Sequence, residues 1–208
     1  MLREALIYET IQPPLGKGNI RSAGIGEMER AAAVIMLAFS TDPVARWVYP
    51  EPADYLRHFP EFIRGFAGVA FENRTALVTD DLAGAALWLP PGAHSDERLL
   101  MDLVEDTVSS AIREDLLLVM EAMSTYHPDE PHWYLPMIGV ETRQQGRGIG
   151  AELMRHALDR CDMDGIPAYL ESSNPRNISL YERCGFVGLG TIQFGNSAPL
   201  FPMVRWPR

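Results

Sequence analysis

Gln145-Gly146-Arg147-Gly148-Ile149-Gly150 follows the apolar run His132-Trp133-Tyr134-Leu135-Pro136-Met137-Ile138-Gly139-Val140 and the polar Glu141-Thr142-Arg143-Gln144. An apolar segment of strand length, a short loop and glycines at alternate positions opening a helix make a site for a phosphorylated ligand. Glycine lets the backbone approach closely, and the free N–H groups and positive dipole end of the helix face phosphate oxygens. Downstream, Ile149, Leu153, Ala157 and Cys161 recur every four residues with Met154 and Leu158 beside them, while Glu152, Arg155, Asp159 and Arg160 take the wet side of an amphipathic helix. Asp164-Gly165 ends it, Ile166 to Leu170 reads as a short strand, and Glu171-Ser172-Ser173-Asn174 turns into Pro175, placed to start another helix. That helix carries Ile178, Leu180, Tyr181 and Cys184 and stops at Gly185-Phe186.

One rival reading of the glycine loop is dinucleotide binding. Gly146, Gly148 and Ala151 match GxGxxA, and Glu171 stands twenty residues beyond Ala151, where a ribose-binding acid belongs. Against it, Glu141 to Gln145 separate the strand from the first glycine, whereas the dinucleotide turn leaves its strand almost directly. Only about sixty residues follow, too few for the rest of a doubly wound sheet. A P-loop is excluded because no Gly-Lys-Ser/Thr follows.

The ordered set QGRGIG opening a helix, a strand ending in a Ser/Asn turn, and LYERCGF on the next helix resembles the signature of the GCN5-related N-acetyltransferases. Within them, the run from Trp133 to Phe186, with ESSNPRNISLYERCGF, is similar to the puromycin N-acetyltransferase group. The likeness covers about residues 132–190, with AFSTDP and the stretch from His127-Pro128 to Trp133 in register upstream. It implies an α/β fold with a mixed, mostly antiparallel sheet of about seven strands, a splayed central strand pair and flanking helices. It also implies an acyltransferase that moves an acetyl group from acetyl-CoA directly to the amine of a small molecule, without metal and without a covalent enzyme intermediate. A protein or peptide N-acetyltransferase is the alternative within that class, and a non-catalytic acyl-CoA-binding sensor the alternative outside it.

The resemblance also assigns residues. Amides of Gln145, Gly146, Arg147, Gly148, Ile149 and Gly150 would hold the pyrophosphate, with Gln145 in the family's Arg/Gln position and Arg143 or Arg147 available to a 3′-phosphate. Met137, Ile138, Gly139 and Val140 would offer backbone groups to the pantetheine arm, which binds as an added strand. Pro136 fits such a strand only at a bulge, since proline is poorly tolerated in a central strand. Asn174 would meet the pantetheine amides; an Asx turn or helix cap before Pro175 explains it equally well. Tyr181, four residues before Gly185-Phe186, would stand by the thioester sulfur as hydrogen-bond donor and general acid, against the plain reading of a half-buried aromatic on an amphipathic helix. The incoming amine must be neutral to attack, so Glu171 is the first candidate for base or cation anchor and Glu141 the second. The backbone N–H near Val140 would face the oxyanion. His127 and His132 flank Pro-Asp-Glu-Pro without partners legible in sequence and read as structural or exposed.

The totals bound the rest. With 208 residues, 47% of them hydrophobic and 22% charged, the chain fits one domain with a sizeable core, preceded by an arm at residues 1–18 that ends in Pro13-Pro14-Leu15-Gly16-Lys17-Gly18. A net charge of −10 argues against nucleic acid and suits a cationic ligand, besides keeping the protein in solution. Cys161 and Cys184 lie on separate helical patterns without metal-like spacing, and read as buried thiols of a reducing, cytoplasmic compartment. No apolar run reaches the roughly 18 residues of a membrane span, and MLREALIYET lacks a signal-peptide core. The expected assembly is a monomer or homodimer.

Upstream, Asn19 to Ile25 is read as a first strand and Glu27 to Phe39 as a helix stopped by Ser40-Thr41-Asp42-Pro43. Residues 43–52 are read as a loop whose Trp47 and Tyr49 touch substrate, because loops carry specificity. A helix from about Ala53 to Phe71 follows, its Phe59, Phe62 and Phe66 read as core. Thr75–Thr79 and Ala83–Leu89 form an antiparallel pair, and a helical stretch from Asp96 to about Tyr126 breaks near Ser109-Ser110 or Arg113. Gly185–Gly190 and Leu200–Trp206 close the chain as two strands.

Overall fold

The computed structural model describes residues 19–208; the arm expected at 1–18 lies outside the described residues. The elements run β1 (Ile20–Ala23), α1 (Met28–Ala38), α2 (Pro43–Val48), α3 (Pro52–Ala67), α4 (Val69–Glu72), β2 (Ala76–Thr79), β3 (Gly84–Leu89), α5 (Glu97–Thr107), α6 (Ser110–Tyr126), β4 (Trp133–Val140), α7 (Ile149–Asp164), β5 (Ala168–Ser172), α8 (Ile178–Arg183), β6 (Val187–Gly188) and β7 (Phe201–Arg205). The strands form one sheet in the order β1-β2-β3-β4-β5-β7-β6. Every neighbouring pair is antiparallel except β4 and β5, which are parallel and therefore need a crossover, supplied by α7.

Side chains alternate across the sheet, so each central strand feeds two cores. On β3, Ala85, Leu87 and Leu89 face the layer of α1, α3 and α6, with Ile35, Phe59, Ile63 and Leu116, whereas Ala86 and Trp88 face α7, with Leu153, Met154 and Leu158. The four-residue recurrence in the sequence is borne out on α7, where Leu153, Ala157 and Cys161 are buried. α1 packs against β4 at very short range: a Cβ on Gly139 would lie 2.7 Å from the Ala38 Cβ, so only glycine permits that approach.

Two irregularities open the middle of the sheet. Leu87 pairs with Met137 but Leu89 with Tyr134, which leaves an extra residue on β4 at Leu135–Pro136. This is the bulge that Pro136 requires, and it bends the strand where proline has no N–H to give. The parallel pairing of β4 with β5 then ends at Leu135↔Leu170. Beyond it Met137–Val140 stay with β3, while Glu171 and Ser172 stay with β7, so the two central strands diverge.

Three expectations are corrected. Residues 43–48 are helix α2, not loop: the Asp42 carboxylate accepts from the N–H groups of Val44 and Ala45, and Pro43 occupies the first turn where its missing N–H costs nothing. The expected helix through Phe71 divides at Gly68 into α3 and α4. β5 runs from Ala168 to Ser172, two residues later than Ile166–Leu170 at both ends: Pro167 has no N–H to give a ladder, and the pairing with β7 continues through Glu171, opposite Pro202 and one residue from the strand's end. The break between α5 and α6 falls at Ser109, which caps α6, as expected. β3 and β4, antiparallel neighbours that a tight turn could join, are connected instead through α5 and α6.

Candidate active site

The divergence of β4 from β5 opens a cavity of about 650 Å³. One side of it is the glycine loop. Gly146 and Gly148 have φ of +75° and +85°, which side-chain-bearing residues rarely adopt, so the loop needs glycine at both. Gly148 is the N-cap of α7 and supplies no side-chain cap, leaving the first-turn N–H groups of the helix facing the cavity rim at Gly148, Ile149, Gly150 and Ala151. This is the donor set and dipole orientation that a diphosphate fits. Gln145 lines the same rim and its side-chain amide donates to the Val140 carbonyl at 3.2 Å, tying loop to strand. Met137, Ile138, Gly139 and Val140, the freed end of β4, form the adjoining wall.

Tyr181 reaches the cavity from α8 and is 5% exposed. Burial raises its hydroxyl well above the usual phenol range, with the Asp42 and Cys184 charges adding to the shift, so it stays protonated as a donor. Asn174 also lines the cavity, and its side chain accepts from the Arg176 N–H, so the cap expected before Pro175 is present.

Opposite lies an apolar chamber. Phe59, Phe62 and Phe66 of α3 stack in series at 5.6 and 5.3 Å, and Leu103 and Val104 of α5, Val108 just after it, and Val119 and Met120 of α6 complete it. Two carboxylates face this chamber. Asp42, 7% exposed, accepts 2.6 Å from the Ser173 hydroxyl besides capping α2; burial raises its pKa, and those three hydrogen bonds oppose the rise. Glu171, whose side chain is 3% exposed, accepts at Oε2 from the Tyr134 hydroxyl at 2.8 Å. Among the described residues its other oxygen has no hydrogen-bond partner, and His127 Nε2 lies 3.5 Å from it.

A model of the acetyltransferase (GNAT) family matches residues 42–186, most of the described chain. The chain belongs to the GNAT family. Members of this family are acetyl-CoA-dependent acyltransferases, and the mixed sheet and its flanking helices are the family's fold. An uncharacterized N-acetyltransferase of Schizosaccharomyces pombe is 27% identical over 198 residues, 87% of this chain and 80% of that one. A Corynebacterium glutamicum structure described as histone acetyltransferase HPA2 and related acetyltransferase is 25% identical, with a TM-score of 0.64 over 92% of this chain and 97% of that one. A Drosophila melanogaster polyamine N-acetyltransferase is 14% identical, with a TM-score of 0.63 over 90% and 99%.

In this GNAT protein the residues named from sequence separate into two groups. Tyr49, Ile138, Gly139, Val140, Gln145, Gly146, Gly148, Ile149, Gly150, Glu171, Asn174 and Tyr181 line the cavity together. Trp47, Glu141 and Arg147 are not among its lining residues. The Trp47 indole donates to Asn196 at 3.1 Å, tying α2 to the loop before β7, and the Glu141 carboxylate accepts from the Arg143 N–H, closing the turn after β4. Tyr49 is 3% exposed, and its hydroxyl is paired with Thr107 of α5.

Other residues at or near the cavity of the acetyltransferase were given no site role from sequence. Asp42 was legible there, since Asp followed by Pro is a helix-start signal, but its second contact to Ser173 was not. His127 and His132 had no visible partners in sequence; the fold puts the pair 2.9 Å apart and beside Glu171. The phenylalanines read as core are partly cavity wall.

Proposed function

We propose that this GNAT protein acetylates the amine of a small molecule with an apolar body, taking the acetyl group from acetyl-CoA. The observation that carries the reading is that one cavity is bordered by the uncapped glycine turn of α7, the Tyr181 hydroxyl, the Glu171 carboxylate and an apolar chamber. The residues present fit acetyl-CoA: first-turn N–H groups of α7 would face the diphosphate, the edge of β4 that has parted from β5 would offer its backbone to the pantetheine arm, and Asn174 lies along the same wall. Acetyl-CoA supplies the activated acyl group. Arg143 and Arg147, both on the exposed side of the loop, are the candidates for a 3′-phosphate.

The chain's own residues divide the remaining work. Asp42 and Glu171, carboxylates facing the chamber, favour a cationic group and hold an amine at the divergence of β4 from β5. Glu171 takes the proton the amine must lose before it attacks. Tyr181, kept protonated by burial, donates its hydroxyl hydrogen to the departing sulfur, where a developing thiolate needs a donor. Backbone N–H groups near Val140 face the developing oxyanion. Phe62, Phe66 and Val104 contact the apolar body, and their character favours an aromatic or alkyl amine over a polyamine.

The test is a CoA-release assay over a panel of aromatic, alkyl and polyamine acceptors. Tyr181→Phe should slow turnover by roughly 10²-fold or more while leaving acetyl-CoA affinity unchanged. Full binding of acetyl-CoA with no CoA released for any amine of the panel would move the protein to the class of acyl-CoA sensors.

A further inference from the structure

Glu171 sits at the inner end of a line of polar groups that leads out of the sheet. His127 Nε2 is 3.5 Å from Glu171 Oε1; His127 Nδ1 is 2.9 Å from His132 Nε2; and His132 Nδ1 is 2.9 Å from the Glu130 carbonyl. Burial decreases toward the surface along this line: the Glu171 side chain is 3% exposed and that of His127 27%. His132 is half-buried in the segment between α6 and β4.

The outer anchor determines where the protons are. A backbone carbonyl only accepts, so His132 must carry its hydrogen on Nδ1. A neutral His132 then presents the lone pair of Nε2, to which His127 must donate from Nδ1. A neutral His127 is left with a lone pair on Nε2, aimed at Glu171 Oε1, the carboxylate oxygen without a hydrogen-bond partner among the described residues. Lone pair faces lone pair at the active-site end. The other carboxylate oxygen is already occupied by the Tyr134 hydroxyl. The chain is therefore one proton short, and the vacant position lies between His127 Nε2 and Glu171 Oε1, an oxygen closed off from solvent.

We propose that His127 and His132 relay to solvent the proton that Glu171 takes from the acceptor amine, an inference that rests on the role given to Glu171 above. The proton passes from the amine nitrogen to the Glu171 carboxylate, and from its Oε1 on to His127 Nε2. The hydrogen on His127 Nδ1 moves to His132 Nε2, and the hydrogen on His132 Nδ1 leaves to water, so one proton enters and one departs. Ring tautomerisation restores the starting state.

The surroundings suit this use. Tyr134 and Tyr169 flank His127 with ring centroids at 4.7 and 4.4 Å, fixing the ring between β4 and β5. Burial lowers the pKa of His132, outweighing the Glu130 carbonyl and the Glu171 charge, and keeps it an acceptor at neutral pH. The titratable groups facing the pair are Glu171 and Tyr169 on β5, Tyr134 on β4, and Glu130 in the same segment, with Tyr126 of α6 beyond Tyr169. None of these is a cation that would repel the incoming proton.

Nitrogen-15 spectra of the histidines require no acceptor. Both rings should be Nδ1–H tautomers at neutral pH, and an Nε2–H tautomer at His127 would overturn the relay. With an amine that is acetylated, His132→Gln should lower the turnover rate by about 10-fold or more in dilute buffer. It should leave the KM for acetyl-CoA unchanged, and added imidazole should restore the rate. His127→Asn should behave alike, which a merely structural role would not produce under imidazole. Unchanged rates and pH profile in both variants, with Glu171→Gln strongly impaired, would remove the relay and leave the base in place. An unimpaired Glu171→Gln would remove both.

Discussion

Asp42 carries three hydrogen bonds and a charge inside an apolar chamber, and its two roles pull in opposite directions. As N-cap it holds α2, and through Ser173 it ties the start of α2 to the loop after β5. Because burial raises its pKa, the folded protein binds that proton more tightly than the unfolded chain does. Its stabilising contribution is complete below the unfolded pKa and is lost as pH rises through the folded one, so at neutral pH the ionised carboxylate is a net cost. Asn in its place keeps the cap and can reverse the bond to Ser173. Asp42→Asn should therefore melt at a higher temperature than the parent at neutral pH, with the gain disappearing in acid. If the carboxylate holds the amine, kcat/KM for a cationic acceptor should fall about 10- to 100-fold, as loss of a charged hydrogen bond does. Calorimetry across pH and the CoA-release assay check the two halves separately.

At the scale of elements, the cavity exists because β4 is irregular and because α1 presses on its far end. The bulge at Leu135–Pro136 ends the pairing with β5, and Gly139 lets α1 approach the strand past that point. A methyl group at residue 139 would meet the Ala38 Cβ, an atom that cannot move without its helix. Gly139→Ala should destabilise the protein by about 1–3 kcal/mol, the usual range for overpacking. It should also displace α1, and with it Phe39 and Asp42, from the chamber. Denaturant midpoints and acetyl-CoA affinity measure both effects. Pro136 announced the bulge in the sequence, since proline within an otherwise strand-like run has few other places to be. The short helix α2 was announced too, by Asp42-Pro43, but the aromatic and proline content around it imitated a loop.

Across the whole molecule, Arg205 joins parts of the chain that are distant in sequence. Only 4% exposed on β7, it forms a double hydrogen bond to Asp162 of α7 at 2.8 and 2.7 Å and donates to the Cys184 carbonyl after α8, while Arg208 N–H donates to the same Asp162. Asp162→Asn should cost about 2–3 kcal/mol at neutral pH, the worth of hydrogen bonds to a charged group. The Arg205 guanidinium holds the Asp162 carboxyl below its usual pKa, so the stabilisation is present above the unfolded value of about 3.9 and fades as pH falls through the lower folded value. The gap in stability between parent and variant should accordingly close only below about pH 4, by urea melts at stepped pH. Sequence alone determined what local chemistry expresses: the glycine turn with its helix, the amphipathic period of α7 and its stop at Gly165, and the membership that the ordered motifs carry. Tertiary structure decided what depends on contacts between remote segments. It drew Asp42 to Ser173, stood His127 beside Glu171, turned Trp47 toward Asn196, and folded α5 and α6 into the wall of the chamber. A side chain's rotamer period and capping preference are set by its neighbours along the chain, whereas its partner across a cavity is set by packing, which no short window of residues contains.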